Sequence, residues 1–437
     1  MKKSLKTILF TALILLGSSS LRAQYLSDSS KEFNAGTPMT GRIWGYAFGD
    51  YFYKSNADAL NRGSNNQYSG YMKDRNAFQF RRIYLGYDYN FSKKFSSELL
   101  LAAEDNFDGK GNPITSGASG DLVNGKLGFY IKLANLRIKN IWEGTDLVIG
   151  QQGTPAFSGS SEKVWGYRSI EKTIADFHKT PSFDMGVGLQ GTFDPKTKNY
   201  GYNLLVGNGA QSLNGAKPSQ NNNKYLYGDI WAKFLDQKLI VDVYADYART
   251  NDWAVKTGTD QTSRQMLKGF VSYSTSPISV GLEGFVNNLK NGINATKIDG
   301  SGADVLNDVA TGISAFVTGD IVKNQLRFFA RYDAFTPTTK VDNNKYSNYT
   351  LLTPSYNEGS TAPTKISDQT YKQNFITLGL DWMPAKNIHI MPNIWYNHYS
   401  TQLTGDNNTA VNGDLADKAK GDHDLVYRLT FYYTFGK

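Results

Sequence analysis

From Gly41 onward, apolar and polar side chains alternate at every second position in stretches of about ten to thirteen residues, each followed by a turn. A period of two belongs to a strand with two unlike faces, and no helical period of 3.6 competes with it for long. The pattern predicts sixteen strands, at 41–53, 77–91, 94–105, 126–138, 144–151, 183–194, 199–207, 225–235, 238–249, 264–275, 278–289, 308–320, 324–335, 371–383, 387–400 and 423–436. Near the C-terminus Leu425, Tyr427, Leu429, Phe431, Tyr433 and Phe435 share one face, while Arg428, Thr430, Tyr432 and Thr434 share the other. The same parity sets Leu239, Val241, Val243, Ala245 and Tyr247 against Asp242, Tyr244 and Asp246.

Alternation alone fits a soluble sandwich as well as a membrane barrel. Connection lengths separate the two. Tight links such as Leu235-Asp236-Gln237-Lys238, Ser276-Pro277 and Pro384-Ala385-Lys386-Asn387 take turns with long polar segments at 54–76, 106–125, 152–182, 208–224, 250–263, 290–307, 336–370 and 401–422. Outer-membrane barrels have short periplasmic turns and long extracellular loops, and an even strand number returns both termini to one side. The expected fold is therefore all-β, a transmembrane antiparallel barrel of about sixteen strands over 41–437, its apolar face against lipid and its polar face around a wet lumen.

Composition agrees with this. Aromatics make up 14% of 437 residues, with 28 Tyr and 24 Phe, while hydrophobic residues reach only 40%. A barrel wall averages polar and apolar faces and concentrates aromatics at the two membrane interfaces. At the N-terminus Lys2, Lys3 and Lys6 precede the apolar run Ile8–Leu16 and then Leu21-Arg22-Ala23, which reads as a secretory signal over 1–23, followed by a periplasmic segment over 24–40. No later stretch approaches the eighteen apolar residues of a membrane helix. The net charge of +8 falls to +4 once Lys2, Lys3, Lys6 and Arg22 are removed, and no basic block forms a nucleic-acid footprint. With no cysteine there is no disulfide framework and no thiolate chemistry.

Enzyme and metal signatures are lacking. His178, His389, His398 and His423 form no HExxH pair, no Gly-x-Ser-x-Gly elbow is present, and His178 reads as a solvated loop residue. Asp105–Asn112 carries carboxylates around glycines but lacks the terminal Glu of a calcium loop. Trp395, Tyr396 and Tyr399 offer faces for sugar stacking, yet at strand ends they read more simply as an interfacial girdle. Neither a catalytic residue nor a cofactor or metal is expected.

The third long segment differs from the rest. Within 158–182, Ser169 stands where it would cap a helix carrying Ile170, Ile174 and Phe177 on one face. In layout the chain resembles sixteen-stranded porins, in which the same loop folds inward and narrows the pore. The wording Leu147-Val148-Ile149-Gly150-Gln151-Gln152-Gly153-Thr154-Pro155-Ala156-Phe157, then Tyr167-Arg168-Ser169, then Asp184-Met185-Gly186-Val187, resembles the central signature of the phosphate-selective porin family. The resemblance implies an outer-membrane channel of a Gram-negative bacterium, set among lipids including lipopolysaccharide, often a homotrimer and in some members anion-selective. Arg168 matches the family's arginine-serine pattern. No ladder of lumen-facing arginines accompanies it.

By parity Arg42, Arg82, Lys132, Lys233, Lys268, Arg327, Arg331 and Arg428 point inward, as do Asp88, Glu98, Asp184, Asp229, Asp242, Asp246, Glu283 and Asp333. Most such groups are expected to make wall salt bridges. The expected constriction sets Arg82, Arg327 and Arg331 of the wall opposite Glu171 and Asp176 of the loop, with Arg168 and Lys172 beside them. A mixed-sign lining favours passive diffusion of small hydrophilic solutes. A phosphate-like anion channel is the alternative, and a secreted soluble β-protein, hydrolase or lectin, is the reading from another class.

Overall fold

A computed structural model describes residues 40–58, 68, 71, 73–104, 122–123, 126–158, 160–178, 182–209, 223–249, 262–337, 342, 344–351, 372–400 and 423–436. The expected signal, nearly all of the 24–40 segment and all of Asp105–Asn112 lie outside these residues. Sixteen strands close one antiparallel barrel. In chain order they are β1 Thr40–Asn56, β2 Asn76–Asn90, β3 Phe95–Glu104, β4 Tyr130–Trp142, β5 Thr145–Gly153, β6 Phe183–Thr192, β7 Tyr200–Gly207 and β8 Tyr225–Phe234. There follow β9 Leu239–Arg249, β10 Ser263–Ser274, β11 Ile278–Lys297, β12 Ala303–Val322, β13 Leu326–Thr336, β14 Lys372–Ala385, β15 Ile388–Ser400 and β16 His423–Phe435. Every strand pairs with its sequence neighbours, and β1 closes on β16 from Gly45↔Phe435 to Asn56↔Leu425. Closure leaves no edge strand, so each wall strand pairs its backbone with a neighbour on both sides where lipid offers no partner.

The parity read from sequence is the parity of the wall. On β8 and β9, outward Ile230 is 60% and Val243 49% exposed, while inward Asp229 and Asp242 are each 1% exposed. An outer surface of Leu, Val, Ile, Tyr and Phe around the barrel is a lipid-facing belt, since water would not tolerate so large an apolar face. At the tight end, the β4–β5 turn needs Gly144, whose φ of 80° an L side chain rarely adopts.

Two features depart from the expected layout. The segment 290–307 is not a solvated loop, because β11 and β12 continue through it as a hairpin, with Ala303–Leu306 paired to Ile293–Thr296. The segment Tyr346–Leu351, expected within the loop 336–370, adds a third strand to that hairpin. Ile293 and Ala295 are buried there against Leu306 and Tyr346, which gives the extension a small core. The second departure is a β-bulge in β2: Phe48 pairs with Arg82 and Gly49 with Phe80, so Arg81 is the extra residue. Arg81 and Arg82 consequently both point into the lumen, 2% and 6% exposed.

Candidate functional site: the third loop and the lumenal wall

The segment between β5 and β6 holds three short helices, α1 Pro155–Ser158, α2 Ser161–Trp165 and α3 Ile174–His178. Gly166 ends α2 with a left-handed φ of 71°, its N–H donating to the Glu162 carbonyl at 2.9 Å. The helix expected to start at Ser169 does not form. The carbonyls it would have used accept instead from the wall: Arg81 donates to Ser169 O at 2.8 Å, Arg428 to Ile170 O at 3.2 Å and Arg331 to Lys172 O at 2.5 Å. Ile170 and Ile174, expected on one face, separate into two clusters.

Further bonds hold the loop on the β9–β11 side. Ser160 donates through N–H and Oγ to Asp242 at 3.1 and 3.2 Å, Lys268 donates to Ala156 O at 3.0 Å, and the Ala175 N–H donates to Glu283 at 3.2 Å. The loop therefore reaches lumenal side chains from β9 round to β16 and β2. Its apolar side chains cover part of the wall. Trp165, Tyr167 and Ile170 pack on Phe270, Phe316, Phe329 and Met391, and Ile174 and Ala175 on Phe285 and Phe335. The approach is close at Gly312, where a Cβ would strike the Phe285 ring and meet Ile174 Cδ1 at 3.0 Å. His178, expected in solvent, stacks on Phe335 with ring centroids 3.7 Å apart. Trp395 and Tyr399, read as girdle residues, are 1% exposed inside the barrel.

The predicted site residues fall into three settings. Arg168 donates to Glu162 and Asp176, both at 2.6 Å, forming a charged face on the loop. Arg82 stands across from it, 3.9 Å from Glu104, which also holds Lys132 and Tyr84. Arg168 and Lys172 are within electrostatic reach of this wall group, Lys132 sensing Arg168, and Lys172 sensing Arg82 and Glu104. Glu171 is 2% exposed and turned away, accepting from Trp395 Nε1 at 3.0 Å. Arg331 is taken up by Asp333 and the Lys172 carbonyl, with Trp165 and Phe375 rings beside it. Arg327 pairs with Asp320 at 2.8 Å and lies over the Tyr167 ring. Glu171 and Arg327 thus do not face one another as expected.

The sequence reading missed Glu162, Glu104 and Arg81. Arg81 had a signal: outward parity runs through Phe78 and Phe80, then through Ile83, Leu85 and Tyr87. Such a switch from even to odd positions requires one extra residue between them. Glu162 and Glu104 lie at a loop helix and a strand end, where alternation carries no information. Among the described residues no group of His, Cys, Asp and Glu could hold a metal.

The closed sixteen-stranded antiparallel barrel is a fold found in solved outer-membrane porins. The chain is similar to the outer-membrane channel DcaP of Acinetobacter baumannii, at 12% identity and TM-score 0.56, covering 92% of this chain and 99% of that one. It is similar also to the anion-selective porin of Comamonas acidovorans, at 10% identity and TM-score 0.53 over 91% and 100% of the two chains. OmpF of Salmonella typhi, solved with daunomycin, matches at 12% identity and TM-score 0.52 over 92% and 99%. No family model matches the chain, and no curated protein matches it.

Proposed function

We propose that the chain is an outer-membrane diffusion porin of a Gram-negative bacterium, passing small hydrophilic solutes through a water-filled conduit narrowed by the third loop. The observation that carries this reading is the set of three wall arginines, Arg81, Arg331 and Arg428, each donating to a backbone carbonyl of the loop. Fastened in this way, the loop is held against the wall, which supports reading it as a constriction. The open side lies between Arg168, Glu162, Lys172 and Asp176 of the loop and Arg82, Glu104 and Lys132 of the wall. Four cationic groups there meet three carboxylates, so the transverse field is mixed, with a small excess of positive charge. A phosphate-specific channel would need several cations free to replace the hydration of an anion, whereas most of these are paired with carboxylates.

In planar bilayers under a salt gradient, the reversal potential should be small and lean toward anions. Lys172→Glu should move it toward cations. A large reversal potential of either sign in the unaltered protein, or no response to Lys172→Glu, would contradict the placement of the conduit.

A further inference from the structure

Seven tight links join the strands at one end of the barrel, at residues 91–94, 143–144, 193–199, 235–238, 275–277, 323–325 and 386–387. They contain seven lysines and three carboxylates, Glu143, Asp194 and Asp236, and no arginine, which sums to +4. Residues 24–437 also sum to +4, so the rest of the chain beyond the expected signal is neutral. The whole positive excess therefore stands at one rim. Six of the lysines, Lys93, Lys196, Lys198, Lys238, Lys323 and Lys386, are exposed, and among the described residues none of the six is ion-paired. Asp194 is engaged within its own turn, where it accepts from Thr192 Oγ1 at 2.9 Å and from the N–H groups of Asn199 and Tyr200 at 2.9 and 2.8 Å. Like charges gathered on a rim repel one another, so folding alone supplies no reason for the excess.

The placement of these lysines says what they meet. Each basic link carries or adjoins an exposed apolar side chain, Phe91, Phe193 and Leu235 within the links and Val322 and Ile388 beside them. The lysines thus stand where the apolar belt ends. A lysine at that level lays its stem along hydrocarbon and carries its ammonium into the headgroup layer. The basic links follow β2, β6, β8, β12 and β14, so the charges are spread round the circumference and are not gathered on one side. A planar bilayer meets a barrel all round, whereas a protein partner would meet one sector. The links are also short, two to seven residues, which leaves little chain beyond the headgroups for a soluble partner to hold.

We propose that this rim is an interaction surface for anionic phospholipid, its lysines pairing with headgroup phosphates of the leaflet at the tight-link end. The proposal rests on the reading of the chain as an outer-membrane barrel, in which that leaflet faces the periplasm. A lipid with a net negative charge suits the rim better than a zwitterionic one, because the latter brings its own ammonium beside the phosphate and cancels the attraction.

Spin-labelled phosphatidylglycerol and phosphatidylcholine are the probes. In bilayers of unlabelled phosphatidylcholine holding the protein, labelled phosphatidylglycerol should enter the lipid layer touching the protein about twofold more readily than labelled phosphatidylcholine. The ratio should approach one in about 1 M sodium chloride, where screening acts within about 3 Å. Lys93→Gln, Lys196→Gln, Lys238→Gln, Lys323→Gln and Lys386→Gln together take the links from +4 to −1 and should remove the preference, while arginine at the same five positions should keep it. Lys224→Gln with Lys372→Gln, at the long-loop end, should leave it unchanged. A ratio near one in the unaltered protein, a ratio that survives the five glutamines, or one that falls only with the long-loop pair, overturns the rim. Inorganic phosphate that abolishes the preference at an ionic strength where chloride does not would make free phosphate the occupant and overturn the lipid. A conducting channel without lipid preference overturns the rim and leaves the pore standing. A rim-dependent preference in a protein that conducts no ions overturns the pore and leaves the rim standing.

Discussion

Arginine in this lumen acts first as a fastener. Arg331 spans Asp333 and the Lys172 carbonyl, and Arg428 donates to Asn393 at 2.6 Å and to the Ile170 carbonyl. Removing one partner of a buried pair leaves the other charge uncompensated, a loss of about 3–5 kcal/mol. Arg331→Ala should accordingly lower the unfolding temperature in detergent, and the freed loop should be cut by protease within 160–178 while the wall resists. Alternation gave the inward direction of Arg82, Arg331 and Arg428, because direction is a property of strand parity. It could not give the partners of Arg331 and Arg428, which are the loop carbonyls of Lys172 and Ile170, far away in sequence.

At the scale of the element, all sixteen strands were legible because each has one lipid face and one inner face, the condition under which a period of two is strongest. The loop helices were not. Their apolar residues are distributed among separate patches of the wall, Trp165 and Ile170 on one and Ile174 on another, so no single helical face exists to be read. The hairpin beyond the membrane part of β11 and β12 was hidden for a different reason, since its apolar face is small, Ile293 and Ala295 against Leu306 and Tyr346, and is set among polar residues that read as loop. Lys297 and Tyr346 both donate to Asp304 in this hairpin. The hydrogen bond from Lys297, with that from Tyr346, holds the Asp304 carboxyl below its usual range. A depressed folded pKa contributes stability above the unfolded value, near 3.9, and loses it as pH falls through the folded value. Asp304→Asn should therefore speed amide exchange in Ile293–Lys297 at pH 6, and the difference from the unaltered protein should vanish under strongly acid conditions. The pair is exposed, so the effect should be small.

At the scale of the molecule, the expectation of a uniformly polar interior needed correction. Phe270, Phe285, Phe316, Phe329 and Phe335 point inward because the third loop lays its own apolar side chains on them, making a dry region inside one wall. The proposed conduit lies on the opposite side, along β1 to β5, where Arg82, Glu104 and Lys132 of the wall stand across from the charged face of the loop. The central claim is that this side remains filled with water. Single-channel conductance in planar bilayers tests it most directly. The account predicts discrete openings whose conductance rises in proportion to the bulk conductivity of the salt solution and falls when bulky side chains replace those lining the β1–β5 side. Purified, correctly folded protein that inserts into bilayers and yields no conductance steps would contradict it.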